Sequence, residues 1–238
     1  MCVCVQQAPD VSEHTLPSTK KTQKAAITGK HRGRVVKQGP KNQGVSSARR
    51  ASFTVATMNR SDAGRTIDAA QDRLLALLDL ALTLKHVNWN AVGPQFIAVR
   101  QMLEPQVLAV NAMVDAIAER ISTLGGSPNG LSGHLVANRT WDDYALARAE
   151  CQSHLAALDL VCEGIIGGHR HAIATVATAD PITRDLLVQQ SARLEQFQWF
   201  IRAHLGDSAG GLSHAGTSDE LAAAQKVANR LRSHAPST

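Results

Sequence analysis

The segment TIDAAQDRLLALLDLALTLKHVNWN, from Thr66 to Asn90, constrains this chain more than any other. Its apolar residues cover nearly the whole circumference of a helix. Such a helix must be covered on several sides, by its own chain and by partner subunits. Aromatic residues make up only 3% of the sequence against 44% hydrophobic, so the cover is built from Leu, Ile, Val and Ala. Ala and Leu lose little freedom in a helix, which favours helical neighbours. Gly93-Pro94 punctuates the segment. A second helix, PQFIAVRQMLEPQVLAVNAMVDAIAERISTL, runs to a glycine stop at Gly125-Gly126, with Pro105 expected to kink or divide it. The polar stretch SPNGLSGHLVANRT reads as a long loop. The third helix is expected to start near Thr140 or Trp141, with Asp142 and Asp143 in its first turn, where acids suit the helix dipole. The fourth opens at Asp180-Pro181, carries Leu187, Leu194, Phe197 and Ile201 on one face, and ends before Gly206. Four long helices make one bundle.

The ends of the chain differ from its middle. Residues 1–65 lack apolar periodicity and read as a disordered basic tail. They hold twelve Lys/Arg against three Asp/Glu, an excess of nine positive charges, whereas the remainder holds thirteen against seventeen, an excess of four negative. The overall +5 therefore averages a basic arm and a mildly acidic body. Residues 207–238 read as a polar C-terminal tail with one short helix around DELAAAQKVANRLR. The fold class expected is all-α: a four-helix bundle over 66–206 with disordered N-terminal and C-terminal extensions. No run of eighteen uncharged apolar residues occurs, so no membrane span is expected. Nor is there a secretory apolar region near the start, since Lys20, Lys21 and Lys24 come first. Four cysteines are too few for a disulfide scaffold. Cys2 and Cys4 sit in the tail, and Cys151 and Cys162, three helical turns apart, read as buried reduced thiols.

Three acids of the second helix carry the possible chemistry. Asp115 and Glu119 are i,i+4 neighbours, and Glu104 lies three turns earlier on roughly the same face. Oxygen donors on one face suit a hard cation or iron, although an ordinary charged stripe has the same spacing. Glu119 sits in the apolar stretch MVDAIAERISTL, where burial without a partner would be costly. No Glu-x-x-His pair exists, which argues against a di-iron centre inside the bundle. His169 and His171 in GGHRHA point away from each other and read as surface or loop residues. The lone helical His86 and His154 read the same way.

The stretch HVNWNAVGPQFIAVRQMLEPQVLAVNAMVDAIAERISTLGGSPNG resembles the signature of the Dps family of mini-ferritins, and of its actinobacterial members in particular. The matching features are Trp89, Gly93 with Phe96, Asp115 with Glu119 and Arg120, and Leu124 to Gly126. The resemblance extends from Thr66 to Leu205, through HLAALDLV at His154–Val161 and DPITRDLLVQQSARLEQFQWFIRAHL at Asp180–Leu205. It implies a ferritin-like bundle, a closed homo-oligomeric shell (a dodecamer in the family), ferrous iron oxidation with peroxide, ferric iron storage and DNA protection.

The family's iron site lies between subunits, with two His and an Asp from one protomer and an Asp and a Glu from its mate. Carried onto this sequence, the mate's pair is Asp115 and Glu119, and the third carboxylate is Glu104. Asn88 and Arg100 stand where the two histidines are expected. His86 cannot replace Asn88, because two residues along a helix turn the side chain by about 200°. A guanidinium cannot ligate a metal and stays charged. Arg100 is expected to pair with Glu104 or with acids of the other protomer, leaving iron binding weak and the ferroxidase activity impaired.

Lys20, Lys21, Lys24, Lys30, Arg32, Arg34, Lys37, Lys41, Arg49 and Arg50 suit salt-dependent, sequence-independent binding of DNA phosphates. Phe53 is the lone aromatic available there for stacking. Two other readings of this segment stay open: a targeting peptide, or a start at Met58. The expectation is a cytoplasmic, nucleoid-associated shell that binds and protects DNA and handles iron. The alternative is a non-enzymatic architectural protein that keeps the shell without the oxidation.

Overall fold

The computed structural model of the chain describes residues 53–233. Tail residues Cys2, Cys4 and Lys20 to Arg50 lie outside them. Four long helices dominate: α1 (Arg60–Asn90), α2 (Phe96–Thr123), α4 (Cys151–Val176) and α5 (Pro181–Leu205), with short α3 (Ser132–Asn138) and C-terminal α6 (Glu220–Ser233). α1 packs on α2, α4 on α5, and α1 on α4, while α6 lies along α4. The largest fully buried side chains include Leu77, Leu84, Leu103, Ile117, Leu155 and Leu187. An aliphatic core of this kind follows from the shortage of aromatics.

α1 begins six residues before the expected Thr66. Asn59 caps it, its side-chain oxygen accepting from the Asp62 amide at 2.8 Å, and Asp62 places an acid in the first turn. Most of the apolar girth of α1 is covered by α2, α4 and the segment that follows α3, while Leu82 and Trp89 stay exposed. α2 starts at Phe96 and runs unbroken through Pro105, an exposed position. It stops where expected: Gly125 takes φ 84°, and the Gly126 amide closes on the Ile121 carbonyl at 2.8 Å. α5 is capped by Asp180, as the Asp-Pro pair implies.

The third long helix departs from expectation. It starts at Cys151, not near Thr140, and residues 139–148 cross the bundle as irregular backbone. Long-range bonds outweigh the dipole preference of the two acids. The Trp141 indole N–H donates to Asp79 at 2.7 Å, Arg139 pairs with the same Asp79 at 3.8 Å, and the Ala145 amide donates to Glu220 at 2.9 Å. The segment ends in a two-residue parallel ladder, β1 (Ala91–Val92) with β2 (Ala149–Glu150), which ties the end of α1 to the start of α4. Gly93 takes φ 110° there, a left-handed conformation that strains any residue bearing a Cβ.

Three further expectations are corrected. The loop after Gly126 contains α3, which buries Leu135. The C-terminal stretch is not a free tail up to Ser233. Its expected short helix, α6, buries Ala223, Ala224 and Val227, giving residues 220–233 an apolar reason to stay docked. His154 and His169 are fully buried, while His171 is exposed and His86 half-buried. Burial is tolerated because both buried rings are hydrogen-bonded and neutral. His169 Nδ1 lies 3.1 Å from the Ile165 carbonyl, and Nε2 lies 3.4 Å from Gln190. Burial pushes each imidazole down to about 4. Cys151 and Cys162 are buried free thiols, as expected.

Candidate metal centre

α2 carries Arg100, Glu104, Asp115 and Glu119 on one exposed stripe that also presents Ile97 and Leu108, which are 61% and 73% exposed. Spacings of three, four and seven residues keep these positions on one side of the helix. Glu119, expected to risk burial in its apolar stretch, faces outward in the protomer. The core is contacted instead by Met113, Ile117 and Ile121.

Asp115 and Glu119 lie one turn apart, about 6 Å along the axis, while Glu104 is about 16 Å from Asp115 at 1.5 Å per residue. One protomer therefore cannot bring all three carboxylates onto a single ion. Among the described residues no group of three or more His, Cys, Asp or Glu side chains is placed to hold a metal. Two cavities of about 580 and 650 Å³ open elsewhere and include none of the five positions.

Arg100 and Asn88 stand where the resemblance leads one to expect histidines. Arg100 Nε donates to Glu104 Oε1 at 2.8 Å, an i,i+4 pair with both side chains about half exposed. The pairing expected from spacing is thus formed inside the protomer. Asn88, near the end of α1, is half-buried, and its side-chain oxygen is enclosed without a hydrogen-bond partner. Trp89 beside it is 77% exposed. His86 turns the other way and meets the Leu146 carbonyl at 2.7 Å, so it takes no part in this face.

The ferritin-like domain pattern matches residues 67–209. A DNA protection during starvation protein of Mycolicibacterium smegmatis is 47% identical over 176 residues, covering 74% of this chain and 96% of that protein. The chain belongs to the Dps family of ferritin-like proteins. Among solved structures, a Mycobacterium smegmatis Dps superposes with a TM-score of 0.69 at 46% identity, over 73% of this chain and 96% of that one. A Streptomyces coelicolor Dps gives 0.68 at 50% identity, over 70% and 99%. Within this Dps-family bundle, Asn88, Arg100 and Glu104 cluster toward the α1–α2 turn, and Asp115 and Glu119 sit farther along α2.

One functional-looking cluster escaped sequence reasoning. Asp159 is 1% exposed on α4. It accepts from Arg202 Nε at 2.7 Å and meets His214 Nε2 at 3.0 Å. Its partners lie 43 and 55 residues away, so no local spacing signals it. It fastens the segment before α6 to α4 and α5.

Proposed function

We propose that this Dps-family chain assembles through its exposed α1–α2 face into a closed homo-oligomeric shell, a dodecamer as the resemblance implies, that binds and protects DNA and takes up ferrous iron only slowly. Its place would be the cytoplasm, on the nucleoid. The relative from Mycolicibacterium smegmatis carries DNA protection in its name. The basic residues from Lys20 to Arg50 give this chain the means to bind phosphates against a body of opposite net charge.

A single observation carries the iron part of the reading: the Arg100–Glu104 pair at 2.8 Å. Iron is the substrate here, and a ferrous ion bound at this face would need donors from two protomers. In that arrangement Glu104 and Asn88 of one protomer face Asp115 and Glu119 of the mate. Arg100 occupies the first of these carboxylates and adds a fixed positive charge. At about 5 Å and an effective dielectric near 20, a unit charge opposes a divalent ion by about 7 kcal/mol before solvent screening. Asn88 contributes an amide oxygen, a weaker ligand for ferrous iron than an imidazole.

The same pair favours a second reading, in which the shell condenses DNA without oxidising iron. Stopped-flow oxidation of ferrous iron by peroxide, on the natural protein and on the double variant Asn88→His with Arg100→His, separates the two. Under the main reading the natural protein oxidises iron slowly, and the double variant is faster by at least about tenfold, a barrier change of roughly 1.4 kcal/mol. Rapid oxidation by the natural protein, lost on Asp115→Asn with Glu119→Gln, would show that Arg100 does not block the site. An inactive double variant that still forms shells would favour the architectural reading.

A further inference from the structure

Tyr144 is the only tyrosine in the chain, and it is half-buried in the irregular segment that crosses the bundle. Its hydroxyl lies 3.0 Å from Nδ1 of His154 and 3.3 Å from the carbonyl of the same residue. The two rings stack with centroids 5.9 Å apart and 14° between planes, and His86 meets the phenol edge-on at 5.8 Å. His154 is 0% exposed, and its Nε2 has no hydrogen-bond partner. The phenol borders the cavity of about 650 Å³ together with Trp141, which is 37% exposed. A phenol needs a hydrogen bond when buried, but a backbone carbonyl would supply it. An enclosed imidazole nitrogen is a base as well as an acceptor.

We propose that Tyr144 and His154 form a redox-active pair, a sink for one-electron oxidising equivalents that arrive through the cavity or from Trp141. The oxidant is a small oxygen- or nitrogen-centred radical, or a tryptophanyl radical formed by one. It removes one electron from the Tyr144 ring. The phenol O–H bond breaks, and the proton moves to His154 Nδ1. The products are a neutral phenoxyl radical, an imidazolium, and the reduced oxidant. A one-electron reductant of the thiol or ascorbate class later returns the electron, and the proton goes back to oxygen.

The surroundings suit such a cycle. Burial pushes the Tyr144 phenol well above its ordinary range, so phenolate is not populated and electron loss must be accompanied by proton loss. Burial also holds His154 down at about 4, so its ring stays neutral and Nδ1 can receive the proton. A phenol radical cation is a far stronger acid than an imidazolium, so the outward transfer is favourable even to this weak base. The same low basicity returns the proton once the radical is reduced. The pair lies apart from Arg100, Glu104, Asp115 and Glu119 and requires no iron, so it stands or falls independently of the proposed iron chemistry.

The test is pulse radiolysis of the full-length protein with azidyl radicals in the absence of iron, read by the phenoxyl absorption band and freeze-quench electron paramagnetic resonance. Tryptophanyl radicals are expected first, followed by a tyrosyl radical whose g-tensor carries the signature of a hydrogen-bond donor and whose formation slows in deuterium oxide. Tyr144→Phe abolishes the tyrosyl signal and leaves the tryptophanyl signals. His154→Gln slows formation by about tenfold, the equivalent of ~1.4 kcal/mol in barrier, and shifts the g-tensor toward that of a free phenoxyl. A natural protein that forms only tryptophanyl radicals overturns the proposal. So does a His154→Gln protein whose rate, isotope effect and g-tensor are unchanged.

Discussion

Two ion-pair sites in this molecule use the same chemistry and do opposite things. Arg100 and Glu104 meet on the outer stripe of α2, each about half exposed, in an i,i+4 arrangement with no further ion-pair partner among the described residues. Asp159 meets Arg202 and His214 under the C-terminal segment, with its carboxylate 2% exposed and both oxygens engaged. An exposed pair stabilises by about 0–1 kcal/mol, because water competes for both partners. A buried carboxylate is already stripped of water, so removing a partner leaves a charge with no compensation. The exposed pair is therefore free to trade partners when another surface arrives, while the buried cluster is a fastening. The difference lies in the surroundings of the carboxylate, not in residue type or distance.

Acidification should give the largest effect, through the interior. His154 and His169 are held at about 4 in the folded chain against an ordinary value near 6.5. A folded-state value below the unfolded one means that the unfolded chain takes up protons first as pH falls. The stabilising contribution is thus complete above about pH 6.5 and is lost progressively down to about pH 4. Together the two rings should remove on the order of several kcal/mol over that window, as measured by urea unfolding at stepped pH. A flat profile between those limits would mean that neither ring is buried and neutral in solution.

Asp159→Asn should come next. It leaves His214 without its anion, while Arg202 keeps Glu163 at 3.9 Å and, being 40% exposed, recovers some hydration. A loss of about 2–3 kcal/mol is expected, below the full figure for a wholly buried pair. Hydrogen exchange should quicken first in residues 206–233. An effect below about 0.5 kcal/mol would place this site with ordinary surface pairs.

His214→Ala should be milder, about 1–2 kcal/mol, since Arg202 still holds one oxygen of Asp159. The smallest effect belongs to Arg100→Ala, which should alter unfolding free energy by no more than about 0.5 kcal/mol. If Arg100→Ala destabilised the protein as much as Asp159→Asn does, the exposed pair would be a structural element and the contrast would collapse.

Much of the fold was legible because its signals are local. Gly125-Gly126 and Asp180-Pro181 mark their helix ends through backbone conformation and capping, which depend on adjacent residues. The segment at 139–150 was misread because the first-turn preference of Asp142 and Asp143 is worth less than the bond from Trp141 to Asp79, 62 residues away. His154 and His169 were misplaced because a neutral imidazole with partners is acceptable inside, and polarity alone does not reveal those partners. At the candidate site, the Arg100–Glu104 pair could be read from spacing. The proposed division of the carboxylates between two protomers rests on family resemblance alone, since no pattern in one chain encodes what a second copy contributes.

The two-residue ladder between Ala91 and Ala149 has a consequence for the order of events in folding. Its strands run parallel, and residues 92–148 lie between the paired positions. Closing so long a stretch costs chain entropy that two residue pairs cannot repay by themselves. The α1–α2 and α4–α5 hairpins, whose contacts are nearer in sequence, can form without it. Ladder pairing therefore belongs late in folding, when the two hairpins are already docked and Gly93 has settled beside Glu150. In a time-resolved exchange experiment the ladder amides should be protected after those of the four long helices, leaving aside Ala91, whose N–H already donates to the Val87 carbonyl at the end of α1.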